Sequence, residues 1–445
     1  MPAQVQKSAI WTLIITGVAL FMTALDNLIV GVALPTIRAD LGGSIEALEW
    51  TVNAYTLTFA VLLITGAALG DRFGRRRMFM IGVGIFTAAS AAAALAPSLD
   101  VLIAARAVQG AGAAIVTPLT LTLVSGAFPP EKRGAALGIW GGISGLGVAL
   151  GPLVGGAVIE GISWHWIFWV NVPVGLVLIP LAWRNLEEST RPDKALDLPG
   201  LGLVGAGLFG LTFGIIRGES MGWTSTPIVA SIVTGLALLG AFVAWELRSK
   251  EPMLPMRFFK RRAFSATNGL SFSMFFGTFG AIFLLSQFFQ TAQGLGPLEA
   301  GLRTLPWTAM PMVVAPIAGA LSDRIGPRPL MFTGLLLQAG GLAWIAAISS
   351  PETTFGQLLV PFMMAGSGMA LVFPTAASAV ISAVGDRETG KASGATNAIR
   401  EIGGVMGVAV LSSVFAANGG FESPQAFNDG LVAALPIAAG ALLVG

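Results

Sequence analysis

The segment GDRFGRRRMFMIG, residues 70–82, returns in the second half of the chain as SDRIGPRPLMFTG, residues 322–334. Both copies place an aspartate and arginines just before an apolar run, at the same spacing. The aligned pairs are Asp71 with Asp323, Arg72 with Arg324, Gly74 with Gly326, and Arg76 with Arg328. Self-similarity of this kind indicates an internal repeat, so the two halves are expected to share one architecture.

A second pair of segments repeats at a similar distance along the chain. RGAALGIWGGISGLGVALG, which starts at Arg133, resembles GKASGATNAIREIGGVMGV, which starts at Gly390. Gly134 aligns with Gly390, and Gly138 aligns with Gly394. Because both repeated segments run in the same sense, the sequence predicts a parallel repeat.

The composition indicates an integral membrane protein. Of the 445 residues, 54% are hydrophobic and 11% are charged, and the mean hydropathy is +0.79. Ordinary soluble domains carry far more charge. Cysteine is absent, which excludes disulfides and cysteine-ligated metals, and the single histidine, His165, cannot hold a metal alone.

A helix needs about 20 apolar residues to cross the hydrocarbon core, and the sequence predicts fourteen such spanners. They are residues 9–37, 47–69, 78–97, 101–128, 134–160, 164–183, 198–216, 227–247, 263–291, 298–321, 329–349, 355–383, 389–417 and 430–445. The last would cover only about 24 Å at about 1.5 Å per residue. This predicts that the chain stops before its natural end.

The distribution of basic residues predicts the orientation in the membrane. With the amino terminus inside, all but five of the 25 Lys and Arg residues fall on the cytoplasmic side. The exceptions are Arg38 and Arg217 outside, and Arg106, Arg303 and Arg400 within spanners. This is the bias that the positive-inside rule predicts, and one missed spanner would scramble it.

The repeat and the spanner count together predict three parts. Eight spanners lie between the repeated loops where a six-plus-six protein would have six, and the extra two follow the polar linker NLEESTRPDKALD. The predicted parts are residues 1–185, a six-helix bundle; residues 186–257, a linker with two inserted helices; and residues 258–445, a second six-helix bundle.

Five motifs resemble those of the major facilitator superfamily. They are GDRFGRRR, RAVQGAGAAIVTP (106–118), GLGVALGPLVGG (145–156), LDNLIVGVALPTI (25–37) and WIFWVNVPVG (166–175). The resemblance covers essentially the whole chain and implies an all-α membrane fold of two six-helix bundles. The fourteen-helix plan resembles the drug/proton antiporter branch of that family. One departure is His165, where the family usually has arginine.

Asp26 is a carboxylate inside an apolar spanner, about 25 Å from the cytoplasmic end at about 1.5 Å per residue. Burial disfavours the charged form of a carboxyl group, so alternating access could let Asp26 take up and release a proton. The alternative is a permanent ion pair with Arg106 that only fixes helix packing. Arg106 cannot lose its own proton, and the resemblance associates the matching arginine with proton coupling.

Glu401 is the second deep carboxylate. Asn397 lies one turn before it on the same helix face, so the two could face a cavity together. A helix-to-helix hydrogen bond in a glycine-rich seam is an equal alternative. Glu401 therefore joins Asp26 and Arg106 as a candidate for proton coupling.

Two regions are candidates for gating. Gly147 and Gly151 stand at four-residue spacing, which allows close helix packing, and Pro152 can kink the helix. The resemblance associates this stretch with antiporters, which implies export. The repeated loop offers a charge lock that breaks when the inner side opens, although its arginines could be simple membrane anchors. Its candidate residues are Asp71, Arg72, Arg75, Arg76, Asp323 and Arg324.

These features predict a proton-coupled secondary transporter that exports amphipathic small molecules or drugs across the bacterial cytoplasmic membrane. A dedicated exporter of one metabolite, antibiotic or lipid is the alternative. The candidate substrate-binding residues are Asp26, Asn53, Tyr55, Phe283, Gln287, Gln290, Asn397 and Glu401. The deep arginines outnumber the deep carboxylates, so cationic cargo is not the obvious inference.

Other classes of function are not favoured. A membrane-embedded enzyme would need a nucleophile or metal set inside the membrane, and none is present. GDRETGKA, residues 385–392, mimics a phosphate loop but has Ala392 where a magnesium-binding hydroxyl is needed, so no nucleotide or other cofactor is predicted. PMLPMRFFKRRAF, residues 252–264, fits contact with anionic membrane lipid better than with nucleic acid.

Overall fold

The computed structural model describes residues 3–42, 45–189, 197–249, 252, 254–385 and 388–445, and every regular element in these ranges is helical. The first half contains α1 (Ala3–Leu41), α2 (Ile45–Phe73), α3 (Arg75–Ala94), α4 (Leu99–Ala127), α5 (Pro130–Gly161), α6 (Trp166–Trp169) and α7 (Asn171–Asn185). Then come α8 (Leu198–Met221), α9 (Thr226–Glu246) and α10 (Arg257–Lys260). The rest comprises α11 (Arg262–Gln287), a π-helical turn (Phe288–Ala292), α12 (Pro297–Thr308), α13 (Met310–Ile325), α14 (Pro327–Ile348), α15 (Phe355–Ser382), α16 (Thr389–Asn418) and α17 (Pro424–Val444).

The repeated loop has the same backbone conformation in both halves. Gly74 separates α2 from α3 with φ of 105°, and Gly326 separates α13 from α14 with φ of 81°. Residues with a side chain rarely adopt these angles. The two glycines therefore let the chain reverse direction directly after each motif aspartate, which explains their place in the repeat.

Thirteen helical segments in the described ranges are long and apolar enough to cross a membrane. Helix α5 lies at the fifth predicted spanner and has 32 residues, but it is not among those thirteen. The count of fourteen therefore stays a prediction. The boundaries of the three predicted parts, at residues 185 and 257, also stay predictions, and linker residues 190–196 lie outside the described ranges.

The predicted last spanner is wrong at its start. Helix α17 begins at Pro424 rather than at residue 430, and with 21 residues it is long enough to span the hydrocarbon core. The Ser423 hydroxyl accepts a hydrogen bond from the Ala426 amide and caps the helix. The first turns carry polar residues, including Asn428 and Asp429, so a search for apolar runs alone misses them.

The placement of Arg217 in an external loop is also wrong. Helix α8 continues to Met221, five residues beyond its predicted end, and includes Arg217. This side chain is 9% exposed, and its guanidinium lies 5.7 Å from the centre of the Trp50 ring. A cation over an aromatic face allows the helix to continue through a charged residue.

The helices pack into two groups joined along two lines of contact. Helices α1 to α7 surround apolar clusters that contain Phe79, Leu119 and Phe168, and α11 to α17 surround a larger one that contains Phe288 and Phe427. Between the groups, α5 packs along α12 and α13, and α2 packs along α16. These two lines of contact bring the repeated motifs together.

The inserted helices lie at one side of the bundle. Helix α8 packs against α9, α2 and α16, while most of α9 is exposed. The position of α9 agrees with a lipid-facing surface. Helix α8 contacts both groups. Its Phe213 packs against Trp50 of α2. Trp223, which follows α8, donates a hydrogen bond to Ser413 Oγ of α16 at 3.2 Å.

Candidate functional site

Asp26 lies inside α1, and donors from α4 and α7 enclose its carboxylate. The Nη1 atom of Arg106 donates to Asp26 Oδ2. The Oδ1 atom accepts from Gln109 Nε2 at 2.8 Å and from Asn171 Nδ2 at 2.8 Å. A guanidinium and two amides around one carboxylate stabilise its negative charge in an interior of low dielectric constant.

Arg106 is held from several directions. Its Nη1 atom also donates to Gln109 Oε1 at 2.7 Å, one turn along α4. Its Nε atom donates to the Thr51 carbonyl on α2 at 3.0 Å, and its guanidinium lies 4.3 Å from the centre of the Tyr55 ring. The remaining nitrogen, Nη2, has no hydrogen-bond partner within the described part of the chain. The guanidinium thus keeps one unused donor beside the carboxylate.

The ion pair is closed to solvent, because the side chains of Asp26 and Arg106 are both 0% exposed. Glycines of α5 allow the close approach of α1 around it. A Cβ atom on Gly147 would lie 3.0 Å from Ala24, and one on Gly155 would lie 2.7 Å from Ile29. The sealed pair fits a permanent packing contact and equally fits the ionised state of a proton carrier, so both alternatives from the sequence stay open.

Two members of this cluster are not predicted from the sequence. Ser90 of α3 accepts from Gln109 Nε2 at 2.7 Å and from Asn171 Nδ2 at 3.4 Å. The side chains of Ser90, Gln109 and Asn171 are all buried. Asn171 stands in WIFWVNVPVG, and a lone amide in an apolar segment is the signal that points to it. Nothing in the sequence around Ser90 distinguishes it from other small polar residues.

Glu401 and Asn397 lie on α16 and form no hydrogen bond with this cluster, but Glu401 is near enough to interact electrostatically with Tyr55, which packs under Arg106. Asn397 is 8% exposed, and its Nδ2 atom donates to the Ser393 carbonyl of its own helix at 3.0 Å. Glu401 is half-buried. Its carboxylate forms no hydrogen bond or ion pair with the described residues, but its charge interacts with that of the neighbouring Arg400. Neither contacts Asp26 in this state, and their proposed roles stay predictions.

The other predicted substrate-binding residues do not form one cluster. Tyr55 is 1% exposed under Arg106, and its hydroxyl donates to the Thr23 carbonyl at 3.4 Å. Asn53 and Gln287 are half-buried. Phe283 and Gln290 are exposed, and Gln290 Nε2 donates to the Ser286 carbonyl at 3.3 Å. Only Tyr55 touches the buried ion pair, so a shared cavity for these residues stays a prediction.

We define the basic end of the bundle as the end that holds the two repeated loops, residues 70–77 and 322–328. Asp323 accepts hydrogen bonds there from the backbone amides of Gly134 and Ala135, each at 3.0 Å. These amides belong to the first turns of α5, which are the positive end of that helix. The carboxylate of one half therefore binds backbone amides near the start of a helix in the other half.

Asp71 takes the equivalent place in the other loop. Its Oδ1 atom is 2.9 Å from Arg75 Nη2. A Cβ atom on Gly390 would lie 2.4 Å from its carboxylate, so Asp71 lies against the first turn of α16. Both motif carboxylates thus reach a helix start in the opposite half, and the basic end is closed.

The other arginines of the loops have different surroundings. Arg76 forms an ion pair with Glu188 at 3.7 Å, and Arg72 lies 5.5 Å from the centre of the Phe73 ring. Arg324 is exposed. Gly151 is buried in α5, and the side chain of Pro152 lies outside the described residues. The gating roles of these residues stay predictions.

Asp323→Asn is expected to weaken closure of the basic end. The two backbone amides donate to different oxygens of Asp323. Asparagine has one acceptor oxygen, so it keeps at most one of these hydrogen bonds and loses the charge near the start of α5, at a cost of about 1 kcal/mol. The open population should rise about fivefold, measured by electron spin–spin distances between labels on the two loops. An unchanged distance distribution would contradict a closing role for Asp323, and Asp100→Asn, in the first turn of α4, is the control.

Comparison with known proteins agrees with this architecture. The family model described as Major Facilitator Superfamily matches residues 16–408. The chain is 38% identical over 413 residues to the multidrug resistance protein Stp of Mycobacterium tuberculosis. This alignment covers 92% of this chain and 76% of that protein. It is 33% identical over 431 residues to the tetracenomycin C resistance and export protein of Streptomyces glaucescens, and this alignment covers 96% of this chain and 80% of that protein.

Solved structures agree on the fold. The proton:xylose symporter XylE superposes with a TM-score of 0.70 at 14% identity, covering 99% of this chain and 94% of that one. The human organic anion transporter MFSD10 superposes with a TM-score of 0.69 at 16% identity, and the superposition covers 100% of this chain and 99% of that one. The repeated loops, the helical bundle and the family match lead to one conclusion: the chain belongs to the major facilitator superfamily.

Proposed function

We propose that this protein is a proton-coupled exporter of amphipathic small molecules. Relatives named for multidrug resistance and antibiotic export, which share about a third of its residues over most of its length, support this function. The observation that carries the mechanism is the sealed Asp26 carboxylate with its three donors. A buried charge that is costly to keep is the natural site for a proton in a membrane transporter.

The coupling step follows from the arrangement of α1, α4 and α5. With the basic end closed, Asp26 is paired with Arg106 and Gln109. Movement between the two halves shifts α5, which packs directly against α1 at Gly147 and Gly155. When the donors separate, the carboxylate loses the groups that stabilise its charge, and a proton replaces them. Arg106 keeps its own charge throughout.

Glu401 is proposed as a second proton site. It is half-buried on α16, forms no hydrogen bond or ion pair with the described residues, and interacts with the charge of the neighbouring Arg400. Burial favours the neutral form of a carboxyl group and a nearby cation favours the charged form, so a change in either one during the cycle could bind or release a proton. Because α16 packs against α2 and α4, movement of the halves changes the surroundings of this carboxylate as well.

The protein is proposed to lie in the bacterial cytoplasmic membrane with its amino terminus and basic end inside. The support is the charge distribution, since the loops of the basic end hold Arg72, Arg75, Arg76, Arg77 and Arg324. Around α10, Arg257, Lys260, Arg261 and Arg262 stand close together at the same end. Such juxtamembrane clusters attract anionic lipid head groups.

A dedicated exporter of one compound is the second candidate. Relatives named for a single antibiotic support it, including the methylenomycin A resistance protein of Streptomyces coelicolor, which is 33% identical over 397 residues. Both candidates share the same proton-driven mechanism. They differ only in how many compounds the cavity accepts.

A transport panel distinguishes them. We expect proteoliposomes with an imposed proton gradient to accumulate several structurally unrelated amphipathic dyes, with dissipation of the gradient abolishing accumulation. Transport of one compound alone from a broad panel would favour the dedicated exporter. Transport that ignores the gradient would contradict the proposed function in both forms.

A further inference from the structure

Arg400 is a buried cation whose charge is not used by the ion pairs described above. It lies on α16 with 1% of its surface exposed. Its Nη2 atom donates to the Phe373 carbonyl at 3.4 Å, which is a long hydrogen bond. Its Nε and Nη1 atoms have no partner within the described ranges. A buried guanidinium with two unused donors is costly unless an acceptor binds it at some stage of the working cycle.

Aromatic rings surround this guanidinium. It lies 4.8 Å from the centre of the Phe373 ring and 5.7 Å from that of Phe275. Contacts of this kind stabilise the flat face of a guanidinium and leave its N–H groups, which point outwards in the plane, free to donate. The site therefore combines an apolar aromatic surface with donors for a negatively charged oxygen.

The site lies at the contact between the two halves. Trp140 of α5 stacks on Phe373 of α15, with ring centres 5.5 Å apart and planes inclined by 6°. Arg400, Phe373 and Trp140 each stand about ten residues from the basic end of their helices, which is a depth of about 15 Å. Trp140 belongs to the first half and the other two to the second, so separation of the halves at the basic end would break this stack and expose the Phe373 ring beside Arg400.

The nearest carboxylate along the chain does not neutralise this charge. Glu401 follows Arg400 and is near enough for the two charges to interact, but it points about 100° away around the helix and forms no hydrogen bond with the guanidinium. Asn397, one turn earlier, donates within its own helix. Asp26 is already paired with Arg106. The described residues thus supply no carboxylate that is hydrogen-bonded to Arg400, and its Nε and Nη1 donors stay unused.

We propose that Arg400 binds an anionic group of the cargo, and that the cargo includes flat aromatic molecules carrying a carboxylate or a similar acidic oxygen. The inference rests on the proposed export function, since it assigns the substrate class of that transporter. The acid pairs with the free N–H groups of Arg400 when the basic end is open, and the aromatic body takes the place of Trp140 against Phe373. Closure returns Trp140 to Phe373 and displaces the cargo towards the other end.

The test uses pyrenebutyrate and pyrenebutanol, which share one aromatic body and differ in the acid. Binding is measured by fluorescence on purified protein in lipid nanodiscs without a proton gradient, with empty nanodiscs as blank. We expect the native protein to prefer pyrenebutyrate. Arg400→Gln should weaken pyrenebutyrate binding about tenfold or more and leave pyrenebutanol nearly unchanged, while Arg400→Lys should fall between.

Arg303→Gln is the matched control, because Arg303 is a membrane-helix arginine already paired with Glu299 at 3.0 Å. It should leave both affinities unchanged. Equal affinity of the native protein for the two probes would overturn the proposal, and this comparison needs no variant to fold. Equal weakening of both probes by Arg400→Gln would also overturn it. Transport that ignores the proton gradient, with the acid preference intact, would instead contradict the proposed function and leave this inference standing.

Discussion

Asp26→Asn is expected to reduce proton-driven export to the level of protein-free liposomes. Asparagine keeps the shape of the side chain and can still accept hydrogen bonds from Gln109 and Asn171, but it cannot carry a proton. Exchange of labelled for unlabelled cargo without any gradient should persist, because that reaction needs no net proton movement. The measurement is dye transport in proteoliposomes, with an imposed pH gradient and then without one.

The double variant Asp26→Asn with Arg106→Gln separates coupling from packing. The single variant leaves Arg106 charged and unpaired in the interior, at a cost of about 3–5 kcal/mol of stability. Removing both charges should restore much of that stability, measured by thermal unfolding in detergent. If the ion pair only fixes packing, the double variant should also regain gradient-driven export. The proton-carrier account predicts that it stays uncoupled.

Gly319→Val is expected to hold the basic end open and to abolish transport. A Cβ atom at Gly319 of α13 would lie 2.2 Å from the Gly134 carbonyl oxygen and 2.8 Å from the Gly138 Cα atom of α5. Both neighbours are backbone atoms of a long helix, so neither can move aside as a side chain can. Valine adds two further methyl groups there, and the contact between α5 and α13 must separate.

Distances between spin labels test the predicted opening of the basic end directly. The chain has no cysteine of its own, so labels attach only to cysteines introduced at chosen sites. Phe73 and Ile325 are 42% and 51% exposed and occupy matching positions in the two loops, which makes them suitable labelling sites. We expect Gly319→Val to lengthen the distance between them. Gly440→Val in α17 is the control, since a Cβ atom there meets nothing within 4 Å. If a folded Gly319→Val protein kept the native distance between the labels, the prediction that valine separates α5 from α13 would be contradicted.

The sequence predicts the fold well because the fold depends on local and repeated features. Apolar length, the repeat at residues 70–82 and 322–334, and the motif resemblance predict a helical membrane protein of the major facilitator superfamily, and the family match confirms it. The start of α17 is missed, because Ser423 begins that helix by capping, which apolar length does not register.

The site is only partly predictable for a different reason. Asp26 and Arg106 stand out as charges in apolar segments, so the sequence alone points to them. Asn171 and Ser90 join them only through the packing of α3 and α7 against α1 and α4. The stack of Trp140 on Phe373, against which Arg400 lies, depends on helices from both halves. No spacing along one helix predicts such contacts.

The central claim is that Asp26 is neutralised during part of each working cycle, and infrared spectroscopy tests it most directly. The carbonyl stretch of a protonated carboxyl group is compared between the native protein, with its basic end closed, and the Gly319→Val protein, with that end open, at one pH. Asp26→Asn versions of both identify the band. The account predicts a band from protonated Asp26 in one state and not in the other. An Asp26 carboxylate that stays ionised in both would contradict it.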